Sequence, residues 1–171
     1  MDYEAYAPYW NQAEPKMRAK LELLKQALVG KTPYTLRDIY QAGDEEFRLV
    51  LDMVKDHNSD SPITVLSAEF NLFDADVCRA EEDGQDAVGI SDDDAWRFEK
   101  GGVGISLSIE GYNGLVLGGY TPYNYTSDAY TTDIDEILLR IEHLNIEEMT
   151  SHIVDECLQN PLLIRSLASA N

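Results

Sequence analysis

The sequence predicts an α+β fold: N-terminal helices, a small antiparallel sheet with a type I′ hairpin, and C-terminal helices packed on one face. Three observations carry this. Apolar residues recur at helical spacing in the first and last thirds, they alternate with polar residues in two middle runs, and Asn113-Gly114 sits between strand-like segments. That order places the helices together on one side of a sheet in a single domain over 1–171. The expected parts are a helical 13–57, a sheet over 63–121 carrying an acidic loop at 74–94, and a helical 133–168. With 171 residues, 44% of them hydrophobic, the chain can bury roughly 70% of its unfolded surface without a disulfide or metal staple.

Tyr3, Tyr6, Tyr9 and Trp10 make an aromatic lead-in, and Met17, Leu21, Leu24 and Leu28 then recur at i, i+4, i+7 and i+11. Pro15 suits a first turn and Gly30 a stop, so a helix is expected over about 13–29. Lys16, Arg18, Lys20 and Lys25, with Lys31 beyond, give it the one basic patch of the sequence. Thr35-Leu36-Arg37-Asp38 resembles a capping box and predicts a short helix ending at Gly43. A third helix is expected over about 44–56, with Phe47, Val50, Leu51 and Val54 inward. The turn cluster at 58–62 then gives way to alternation over 63–73, and a second strand is expected over 103–109, pairing through Asn113-Gly114 with 115–120. In the last third, Ile134, Ile137, Leu138 and Ile141 form one stripe. Asn145 caps a helix carrying Met149, Ile153 and Cys157, and Asn160-Pro161 opens a last one.

Charge is the strongest functional signal. The 32 acidic residues face 13 Lys and Arg, and 61–171 holds 21 acids against 5 bases where 1–60 holds 11 against 8. Such a surface repels nucleic acid and anionic membrane and attracts basic partners. Nine acids fall within the 21 residues of 74–94: Asp74, Asp76, Glu81, Glu82, Asp83, Asp86, Asp92, Asp93 and Asp94, with Arg79 the lone base. A solvated surface loop explains them without function. A calcium loop fits poorly, since Asp92-Asp93-Asp94 puts Arg97 where the sharp-turn glycine belongs. Beside this block, Tyr123, Tyr125 and Asp128 lie in a polar, tyrosine-rich segment suited to contact or to covering a sheet edge.

Catalytic patterns are sparse. His57, His143 and His152 each read as helix-end or surface histidines, and Cys78 and Cys157 form neither a CxxC pair nor zinc spacing. Gly101-Gly102-Val103-Gly104 lacks the lysine of a phosphate loop and precedes a strand. The helical pair at 35–56 invites a winged helix-turn-helix reading, but Asp44, Glu45 and Glu46 would lead into the phosphates. These observations point to an acidic, non-enzymatic, cytoplasmic binding protein that needs no cofactor or metal. It would occupy the basic surface of a nucleic-acid-binding protein, by analogy with anti-defence (anti-CRISPR) proteins and immunity proteins that mimic nucleic acid. Direct nucleic-acid and membrane contact are not expected. The alternatives are a carboxylate-metal-dependent enzyme and a self-associating assembly protein that sets its basic first helix against a neighbour's acids.

Overall fold

One uninterrupted apolar stripe sets the first element of the computed structural model, which describes residues 3–43, 47–74, 103–120 and 133–170. Helix α1 runs over Tyr3–Leu28, ten residues longer at its start than the pattern after Pro15 predicts. Tyr6, Trp10, Ala13, Met17, Leu21, Leu24 and Leu28 are all at least 95% buried along it. Pro8 and Pro15 lie inside the helix, each at a cost of about 3 kcal/mol in an isolated one. Burying a large side chain returns roughly 1.5–3 kcal/mol, so seven buried positions outweigh two prolines. Trp10 stacks on Phe47 with ring centroids 5.5 Å apart, which turns the aromatic lead-in into core.

Where helices are predicted at 35–43 and 44–56, the described residues form strands and their connections instead. β1 (Thr35–Leu36) and β2 (Tyr40–Gln41) pair in succession with one edge of β3 (Arg48–Lys55). Between them the Arg37 N–H donates to the Asp52 carbonyl at 2.9 Å. The helical reading of 44–56 leaves Leu49 and Met53 outside, yet both are fully buried. A strand with both faces covered accommodates them, and β-branched Val50 and Val54 favour it. The winged helix-turn-helix loses its helices with this correction, and His57 lies in the turn after β3 instead of at a helix end.

β4 (Ile63–Asp74), β5 (Val103–Gly111) and β6 (Leu115–Tyr120) extend the sheet as an antiparallel meander of order β1-β3-β4-β5-β6, with β2 also on β3. A bulge at Val65, between the pairs Met53↔Leu66 and Val54↔Thr64, shifts the register once. The β5–β6 hairpin closes at Gly111↔Leu115, and Asn113 and Gly114 take φ of 62° and 76° in the 3-10 turn between them. Left-handed backbone at this point is what the Asn-Gly pair provides.

The sheet's two faces differ in chemistry. Leu49, Leu51 and Met53, with Ala68, Phe70 and Leu72 and with Ile105, Leu107 and Ile109, join the α1 stripe in one core. Helices α2 (Ile134–Glu142), α3 (Ile146–Ser151) and α4 (Pro161–Ala168) complete that layer, and α1 packs against α2 and α3 as well as β3 and β4. Asp133, Asn145 and Asn160 cap the three helices, accepting from the backbone N–H of Asp135, Glu148 and Leu162. By alternation, Arg48, Val50 and Asp52, with Ser67, Glu69 and Asn71 and with Ser106, Ser108 and Glu110, fall on the second face.

Candidate functional site

Two surfaces carry chemistry. The first is the outside of the C-terminal helices. Over 133–170, Asp133, Asp135, Glu136, Glu142, Glu147, Glu148, Asp155 and Glu156 are all exposed, against the two bases Arg140 and Arg165. Asp135, Glu136, Glu147 and Glu148 occupy first turns, where the positive helix end stabilises carboxylates. Arg140 reaches back one turn to Glu136. Glu147, Glu148 and Asp155 make no ion pair among the described residues.

The basic patch on α1 is not displayed in the same way. Lys16 pairs with Glu142, and its ammonium holds that carboxyl below the usual carboxylate range. Lys20 donates to the Glu142 and Leu144 carbonyls at 2.9 and 3.3 Å, capping the end of α2 with a cation. Arg18 bonds Glu14 at 2.6 Å and the Ile39 carbonyl at 3.3 Å, and Lys25 meets Asp38 at 3.0 Å. The positive charges of the first helix therefore tie α1 to α2 and to the β1–β2 connection.

A feature that residue spacing did not suggest lies after α3, where His152–Cys157 form a π-helical turn. The Leu158 N–H reaches the Ile153 carbonyl at 2.9 Å, a five-residue step. In an α-helix, residues five apart point about 140° away from one another. The wider turn instead brings His152 Nε2 and Cys157 Sγ to the same Leu117 carbonyl, at 3.1 and 3.6 Å. His152 Nδ1 meets Glu156, so a Cys, a His and a Glu share one node. The node is unsuited to nucleophilic catalysis, because burial, with a smaller push from the Glu156 charge, raises the Cys157 thiol to about 11. Gly118, at φ +99°, allows the approach: a Cβ there would lie 3.2 Å from His152 Nε2.

The second surface is on the sheet face away from α1. Asp52, 9% exposed, accepts from the Ser67 hydroxyl at 2.6 Å and from the Tyr40 hydroxyl at 3.0 Å. Burial, reinforced by that bond to Asp52, raises the Tyr40 phenol above its ordinary value. Beside this network a shallow groove of about 510 Å³ runs from the start of β4 to the hairpin turn, with Ser67, Glu69 and Glu110 on its floor and sides.

Of the sequence-predicted contact residues, Asp74 closes β4 opposite Val103. Asp76, Glu81, Glu82, Asp83, Asp86, Asp92, Asp93, Asp94, Tyr123, Tyr125 and Asp128 lie outside the described residues. Among the described residues no three His, Cys, Asp or Glu side chains converge as metal ligands would, and no helix is long and apolar enough to cross a membrane. No family model, curated protein or solved structure matches the chain.

Proposed function

We propose that this chain is an acidic, non-enzymatic binding protein that inhibits a nucleic-acid-handling partner by occupying its basic surface. The observation that supports it is the exposed carboxylate face of α2, α3 and the π-helical turn. Over 133–170 the exposed acids outnumber the bases eight to two, whereas the lysines of α1 are engaged within the chain. A protein that binds phosphates arranges Lys and Arg along a groove, and carboxylates at comparable density meet the same groove with opposite charge. The reading also takes the carboxylates of 74–94, Asp92, Asp93 and Asp94 among them, and Tyr123 and Tyr125 as partner contacts.

The test is capture of binders from lysates on the immobilised chain at about 50 mM and about 500 mM salt, where screening of exposed charge differs strongly. A basic nucleic-acid-binding protein held at low salt and released at high salt is the expected result. It should be lost when Glu147, Glu148 and Asp155 are changed together to Lys. Separate reversal of Asp92, Asp93 and Asp94 reports whether that segment contributes. Capture that ignores both salt and charge reversal would overturn the reading.

A further inference from the structure

We propose that His152 is a proton-operated clasp, which fastens the π-helical turn to β6 when its ring is charged and releases it when the ring is neutral. The device needs no partner and stands whether or not the chain binds a basic protein. Three observations carry it.

The first is a demand for protons. His152 Nε2 faces the Leu117 carbonyl at 3.1 Å, and Nδ1 faces the Glu156 carboxylate. A carbonyl and a carboxylate only accept, so both contacts are hydrogen bonds together when each ring nitrogen carries a proton. A neutral imidazole has a single N–H, and one of the two acceptors then meets a nitrogen lone pair. The second is the fit on the strand. Ser108 pairs with Gly119 and Glu110 with Val116, so Leu117 and Gly118 together oppose Ile109 in a bulge. The Cys157 thiol reaches the same Leu117 carbonyl at 3.6 Å, so the turn holds that acceptor with two donors. The third is the turn itself. The five-residue step from the Leu158 N–H to the Ile153 carbonyl is what brings 152 and 157 to one point on β6. Without the His152 contact, the ordinary four-residue step of an α-helix becomes available.

The charged groups around the ring are mostly acids. Glu147, Glu148, Asp155 and Glu156 line a shallow groove with His152. Residues 115–119 of β6 carry no charge. Lys16 and Lys20 of α1 are held at the end of α2, and Arg165 is the one charged residue of α4. Histidine is the side chain that changes charge between about pH 5 and 8, and the Cys157 thiol, raised to about 11, keeps its proton across that range. The clasp is therefore closed at the acid end of the range and open at the alkaline end.

The experiment follows the full chain by amide and imidazole NMR from about pH 5 to about pH 8. The Gly118 amide shares its peptide group with the Leu117 carbonyl. It should shift with the same midpoint as the His152 ring, and so should the Leu158 amide. Protection of the Leu158 amide, corrected for intrinsic exchange, should fall by roughly 3–10-fold at the alkaline end, the equivalent of one hydrogen bond. Glu156→Gln gives the sharpest comparison, because an amide side chain donates to a neutral ring and accepts from a charged one. In that variant the clasp should stay closed throughout, so Gly118 and Leu158 lose their titration while the His152 ring keeps its own. The Glu156 side chain is 71% exposed, so the change leaves the core untouched. If that variant nevertheless misfolds, His152→Gln serves, and both amides should then give flat profiles. A His152 ring that titrates without moving Gly118 and Leu158 would overturn the clasp. Identical profiles in the parent and Glu156→Gln, or a titration that persists in His152→Gln, would do the same.

Discussion

Replacing Lys20 by Met separates a displayed basic patch from an internal strap. The Lys20 ammonium donates to two carbonyls at the end of α2, at 2.9 and 3.3 Å, across more than a hundred residues of sequence. Methionine keeps the length and packing of the stem and removes the charge and both bonds. Each hydrogen bond from a charged donor is worth roughly 1.5–3 kcal/mol when buried, and a cation at a helix C-terminus a further ~0.3–1 kcal/mol. Lys20 is partly exposed, so solvent screening lowers the sum to about 1 kcal/mol. For a chain of this size that is a fall in Tm of about 2–4 °C. The assay is urea and thermal unfolding of Lys20→Met beside Lys31→Met, whose parent lysine has no ion pair among the described residues. The Lys20 variant should lose stability, less so at high salt, while Lys31→Met stays within about 0.5 kcal/mol of the parent. Equal effects in the two variants would refute the strap.

Three further outcomes follow from local geometry. Gly119→Ala would place a Cβ 2.3 Å from the Leu107 carbonyl oxygen and 2.9 Å from the Ser108 Cα, backbone atoms that cannot give way without parting β5 from β6. A loss of about 1–3 kcal/mol in urea unfolding, with faster amide exchange along β6, is expected. The Cys157 thiol should resist alkylation in the folded chain at neutral pH and react on unfolding. Its folded pKa is raised, so the stability it contributes is complete below about 9 and falls as pH rises toward about 11, which pH-dependent urea titrations of the parent and Cys157→Ala would resolve by their slopes. Glu142 is the opposite case: Lys16 lowers its pKa, so its contribution is present above the ordinary carboxylate range and is lost on acidification. Glu142→Gln should therefore flatten the acid limb of the stability profile.

The parts of the fold that were legible in the sequence carry local signals agreeing with their tertiary setting. β4 alternates because one of its faces meets the helices and the other carries Ser67, Glu69 and Asn71. The hairpin has its Asn-Gly pair, and the last three helices have Asp133, Asn145 and Asn160 as caps. The stretch 48–55 was misread because six consecutive buried residues satisfy a helical period and a strand period together. Only the neighbours β1, β2 and β4, which cover both edges, decide between them. The start of α1 was hidden by Pro15, a good first-turn residue that here lies mid-helix because Tyr6 and Trp10 are buried. The candidate site was legible as charge but not as arrangement. Sequence counts the carboxylates, whereas the engagement of the α1 lysines depends on contacts between the two ends of the chain. The meeting of His152 and Cys157 depends on a turn width that residue spacing does not encode.

Those contacts between the ends also set an order of events during synthesis. Lys16 and Glu142 are separated by 126 positions, and α1 packs against α2 and α3 as well as the sheet. At about 5–20 residues per second, a ribosome needs roughly 6–25 s to travel from one partner to the other. Throughout that interval the first helix has its apolar stripe but lacks the C-terminal helices that complete its layer on the sheet. A chain truncated before α2 therefore keeps its net negative charge while leaving uncovered the flank of α1 that meets α2 and α3, and it should bind holdase chaperones more strongly than the full-length protein.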